Sequence, residues 1–70
     1  DEVRLITEWL KLSEESTRLL KELVELTRLL RNNVPNVEEI LREHERISRE
    51  LERLSRRLKD LADKLERTRR

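Results

Sequence analysis

Cysteine, glycine, phenylalanine, tyrosine, methionine and glutamine are absent from this sequence, and proline, tryptophan and histidine occur once each. Without cysteine there are no disulfides and no thiolate metal sites, although that absence carries no message about redox compartment. No apolar run exceeds two residues, which excludes a membrane-spanning segment and the core of a signal peptide. An excess of one charge sign is also missing, since 17 basic residues stand against 16 acidic ones. No global field therefore draws the chain toward nucleic acid or an anionic membrane. The expectation is a soluble chain without a targeting signal.

What is present is mostly leucine and charge. Fifteen leucines and a charged fraction of 47% make the profile of a long helix or coiled coil, and natural domains rarely avoid so many residue types at once. Seventy residues make one domain, and so short a chain needs disulfides, metal, partners or very regular helix packing for stability.

The punctuation is confined to Asn-Asn-Val-Pro-Asn at 32 to 36. Asparagine tolerates the left-handed conformation that ends a helix, and Pro35 biases Val34 away from helix. Asn36 and Glu39 then have the spacing of an N-cap and its capping-box partner, so a second helix starts at about Val37. The expected organisation is helix 2 to 32, loop 33 to 36 and helix 37 to 69, closed into an antiparallel hairpin.

Each half keeps one period. In the first, Val3, Ile6, Leu10, Ser13, Thr17, Leu20, Val24 and Thr27 alternate steps of three and four, which is a heptad seam. Beside it runs a second, through Leu5, Trp9, Leu12, Ser16, Leu19, Leu23, Leu26 and Leu30. The two together cover roughly 160° of the helix. In the second half one seam runs through Val37, Ile40, His44, Ile47, Leu51, Leu54, Leu58, Leu61, Leu65 and Thr68, widened on one side by Leu41, Ser48, Ser55 and Ala62. All other positions from Glu38 to Arg67 are charged, with favourable acid-before-base pairs such as Glu45 with Arg49 and Glu52 with Arg56. Glu38 with Arg42 and Asp60 with Lys64 share that order. These are solvated faces.

Besides Thr68 at the end of its seam, seven polar residues, Ser13, Ser16, Thr17, Thr27, His44, Ser48 and Ser55, interrupt the seams. A fold about residue 34 sets Thr27 near Leu41, Val24 near His44, Leu20 near Ser48 and Ser13 near Ser55, so the interruptions cluster in matched layers. A buried hydroxyl without a partner costs about 1 to 3 kcal/mol, so such a cluster needs hydrogen bonds within itself, to backbone or to another chain. A polar layer is satisfied in one alignment only, which gives specificity where leucine alone would slip. The plainer alternative is that each hydroxyl bonds the carbonyl four residues back.

His44 is expected to be a satisfied core histidine, with no second ligand at i+3 or i+4 for a metal and no nucleophile for catalysis. Its protonation would add charge to a dry layer and weaken assembly. Trp9 reads as core filler near the bundle end. The basic tail from Lys64 is diluted by Glu66 and reads as a solvated end and a partner for the helix dipole. No catalytic, cofactor or metal residue is expected, and no enzyme, nucleic-acid, membrane or small-molecule role.

Two packed helices each hide about one seam, and the first half carries two. A lone hairpin leaves one exposed, either that of Leu5, Trp9, Leu12, Leu19, Leu23, Leu26 and Leu30 or the other, a larger apolar row than soluble monomers show. The leucine seam is taken as the surface that meets another chain, in a four-helix, coiled-coil-like bundle.

The segregation of charge from core, the Asn-Val-Pro-Asn-Val-Glu-Glu loop, the leucine seams broken by Ser13, Ser16, Thr17, Ser48, Ser55 and His44, and the missing residue types resemble de novo designed helical hairpins with buried hydrogen-bond networks. More narrowly, the chain is similar to one half of the designed heterodimers. The resemblance covers all 70 residues. It implies pairing with a second, different hairpin, with the seven polar residues setting partner choice. A homodimer or higher homo-oligomer of the same hairpin shares this grammar. A different partner is favoured because neither buried seam carries the Asn, Gln, Asp or Glu that would complete the layers.

Overall fold

The computed structural model describes residues 1–32 and 35–69. Among these the chain is all-helical: α1 spans Glu2–Arg31 and α2 spans Val37–Arg69. Asp1 caps α1, its carboxylate accepting from the Val3 amide at 3.1 Å while its carbonyl accepts from the Leu5 amide at 3.2 Å. Glu2 in the first turn and Arg28 and Arg31 in the last complement the helix dipole.

The end of α1 is described as far as its C-cap, Asn32. Asn32 has φ −91° and ψ 13°, outside the left-handed region, and its N–H donates to the carbonyls of Leu29 and Leu30. A tightened last turn therefore engages two of the terminal carbonyls with no positive φ at this residue. The expected effect of Pro35 on Val34 lies outside the described residues, as does Asn33. Asn36 does stand at the start of α2, its carbonyl accepting from the Ile40 amide at 3.2 Å. The side-chain half of the capping box is not among the hydrogen bonds of the described residues.

The two helices run antiparallel over a body 53 Å long and 14 by 13 Å across. Ion pairs fix the register at one end: Arg57 with Glu8 at 2.6 Å and Arg69 with Glu2 at 2.8 Å. Both pairs agree with a fold about residue 34. The core is a single row in which Leu19 packs with Ile47 and Leu54, flanked by Leu12, Leu23, Leu26 and Leu51. Ile40 and Leu61 continue it along α2.

This row bears on which seam of α1 meets α2. Leu12, Leu19, Leu23 and Leu26, placed by the sequence reading at the surface for another chain, face α2 of their own chain, and Leu19 is only 4% exposed. The cause is composition. The leucine seam is apolar at seven of its eight positions, whereas the other loses three of eight to Ser13, Thr17 and Thr27. Covering the first removes more apolar area from water, at about 25 cal/mol per Å².

Candidate functional site

With Leu19 turned toward α2, the heptad positions of α1 fall into columns. Ile6, Ser13, Leu20 and Thr27 stand about 103° round the helix from the contact, and Val3, Leu10, Thr17 and Val24 about 154°. On α2, with Ile47 turned inward, His44, Leu51, Leu58 and Leu65 stand about 51° away and Leu41, Ser48, Ser55 and Ala62 about 103°. In an antiparallel pair, rotations of the same sense point to the same side. All four columns therefore belong to one face of the hairpin.

The groove between the helices confirms this division. On one side it is lined by Ile6 and Trp9 of α1 with Ala62, Leu65, Glu66 and Arg69 of α2. On the other it is lined by Glu22, Glu25 and Leu26 with Glu43, Arg46 and Ile47. The second side is edged by charge, Arg46 pairing with Glu43 and Arg57 with Glu8. The first is open and apolar: Val3 is 70% exposed, Leu10 52%, Leu20 53%, Val24 60% and Leu41 51%.

The seven polar residues separate by role. Ser16 interrupts the covered seam, and its Oγ is shut off from solvent with no hydrogen-bond partner, a cost of about 1 to 3 kcal/mol. Ser13, Thr17, Thr27, His44, Ser48 and Ser55 belong to the open face. Thr17 Oγ1 donates to the Ser13 carbonyl at 3.0 Å and Thr27 Oγ1 to the Leu23 carbonyl at 2.9 Å. These are the bonds to the carbonyl four residues back. Among the described residues no hydrogen bond joins two side chains of the set. His44 and Ser48 are half-buried, while Ser55 and Thr17 are exposed. Histidine as a hydrogen-bonded core residue is thus not realised within one hairpin. Ser13, Thr17, Ser48 and Ser55 form the middle of the open face, with apolar side chains toward both ends.

Of the expected apolar interface residues, Leu5 and Leu30 are half-buried beside the core row, and Trp9 is 37% exposed at the rim of the open groove. Trp9 is thus the one member of that set with a large part of its surface on the open side.

Charge surrounds the hairpin elsewhere. Glu45 with Arg49 and Glu52 with Arg56 pair as expected, at 2.6 and 2.9 Å. Glu38 with Arg42 and Asp60 with Lys64 are not among the ion pairs, while Glu50 with Arg53 is, at 2.8 Å. The guanidinium groups of Arg57 and Arg46, through their hydrogen bonds, hold the carboxyls of Glu8 and Glu43 below the ordinary 4.5. Sequence reasoning missed the two interhelical pairs and the Asp1 cap. The signal was there: Glu8 and Arg57, and Glu2 and Arg69, are opposite charges that the fold about residue 34 brings to similar heights.

Among the described residues no group of His, Asp or Glu could hold a metal ion, and no helix is long and apolar enough to cross a membrane. No family model, no curated protein and no solved structure matches the chain.

Proposed function

We propose that this chain is a protein–protein interaction module, resembling a de novo designed hairpin, that pairs with a second helical hairpin of different sequence to complete a four-helix bundle. Catalysis has no part in this reading. One observation carries it: the open face, where Val3, Leu10, Leu20, Val24 and Leu41 stand more than half exposed in register along one side of the rod. Apolar rows of this length are uncommon on soluble monomers, and two hairpins joined by such faces form the smallest helical bundle with a closed core. The hydroxyls at the middle of the face would meet the partner, and their hydrogen bonds would select it.

Self-association is the second reading. It draws on the central position of Ser13, Thr17, Ser48 and Ser55, because two copies related by a two-fold axis would set hydroxyls against hydroxyls. Native mass spectrometry of the chain alone, then with a panel of other hairpins, separates the two. The expected result is a mixed species of two hairpins that Leu10→Glu with Leu20→Glu abolishes while circular dichroism stays helical. A chain that remains monomeric at high concentration with every hairpin, fully helical and cooperatively folded, overturns both readings.

A further inference from the structure

The two edges of the open face differ in kind. Along α1 the outermost column is Val3, Leu10, Thr17 and Val24, mostly apolar and largely exposed. Along α2 the column about 154° from the core contact is Glu38, Glu45, Glu52, Lys59 and Glu66, four carboxylates and one ammonium at seven-residue intervals. All five are exposed, and Glu66 lines the open groove itself. Arg49 and Arg56 stand one column further back and pair with Glu45 and Glu52. Exposed pairs of that kind hold their partners weakly, so the column still presents its carboxylates to a neighbour.

This asymmetry bears on what can cover the face. Two hairpins can meet face to face with a two-fold axis in two ways. With the axis across the helices, α1 lies on α1 and α2 on α2, so apolar edge meets apolar edge, while the reversed columns set Glu38 against Glu66 twice and Glu52 against its own copy, against two contacts of Glu45 with Lys59. With the axis along the helices, α1 lies on α2 at both edges, and each apolar edge is desolvated against carboxylates. Like charges across an interface and charges desolvated at its border both act against association. Neither self-pairing suits the edges.

The geometry points to a partner hairpin of different sequence whose two helices are unlike: one over α1 with an apolar edge, and one over α2 with a heptad-spaced column of Lys or Arg, interrupted by an acid opposite Lys59. This rests on the reading of the open face as an association surface and adds the partner's charge pattern to it.

The probe is a charge-reversed copy of this chain, carrying Glu38→Lys, Glu45→Lys, Glu52→Lys, Lys59→Glu and Glu66→Lys, mixed with the parent at equal concentration. Native mass spectrometry after exchange should show the parent and the reversed copy paired about tenfold beyond the statistical ratio at low salt, with the preference lost near ~1 M salt, where the screening length is about 3 Å. A second variant, Glu38→Gln, Glu45→Gln, Glu52→Gln and Glu66→Gln, keeps the test open if the reversed copy folds poorly. It should associate with itself about tenfold more tightly than the parent. Statistical pairing at low salt, or unchanged self-association of the glutamine variant, leaves the association surface standing and overturns the charge column. If parent, reversed copy and glutamine variant all stay monomeric, alone and mixed, the association reading falls and the charge column falls with it.

Discussion

The Thr17 hydroxyl already has an acceptor in the Ser13 carbonyl, 3.0 Å away, so its removal costs the lone hairpin little. Under the proposed pairing its consequence lies in what meets it from outside. Ser13→Leu, Thr17→Val and Ser55→Leu together should hold or raise the midpoint of thermal unfolding followed by circular dichroism, since changes at exposed or half-exposed positions fall within about 0.5 kcal/mol. The same triple variant should pair with hairpins that the parent rejects, seen by native mass spectrometry of mixtures; unchanged selectivity would remove these hydroxyls from partner choice. Glu8 gives a second residue-level outcome. The Arg57 guanidinium holds its carboxyl below 4.5, so the ion pair supports the fold above that value and is lost as pH falls through the lowered one. The carboxyl carbon of Glu8, followed by NMR, should titrate at lower pH in the parent than in Arg57→Gln. Equal midpoints would mean that the pair does not persist in solution.

Neighbouring leucines in α1 have opposite surroundings. Leu19 is buried with Ile47 and Leu54, while Leu20 is 53% exposed on the open face. Leu19→Ala should destabilise the hairpin by about 2 to 3 kcal/mol, the lower part of the range for buried leucine because one thin row can relax around the gap. Leu20→Glu should leave helicity unchanged and abolish association, and chemical denaturation paired with light scattering reads both. If Leu19→Ala instead spared the fold and prevented association, the assignment of seams would be reversed. The elements themselves were legible in the sequence: the period of three and four, the break at Asn32 to Asn36 and the length of each half mark both helices and their register. Which seam of α1 takes α2 was not legible from periodicity, because both seams repeat identically. The difference lies in Ser13, Thr17 and Thr27 and in the area each alternative buries. The threonine bonds were equally hidden, since a network and a local bond to the fourth carbonyl back need the same residue at the same position.

At the scale of the whole molecule, a rod 53 Å long and 14 by 13 Å across has, among the described residues, only one row of fully covered side chains. A body so thin hides little of its chain from water, and its stability alone is small. A partner that binds only the folded hairpin adds about 2.7 kcal/mol when present at a hundred times its dissociation constant. The unfolding midpoint should therefore rise with partner concentration, as calorimetry would record, and an unmoved midpoint would mean that no binding occurs at the folded face. The pair between Glu2 and Arg69 has a geometric consequence of its own. It sets the first and last turns side by side at one pole, with the turn at Pro35 and Asn36 at the other. Any polypeptide joined to either end would leave from that same pole, as from the head of a peg, and would leave the shaft between the poles clear.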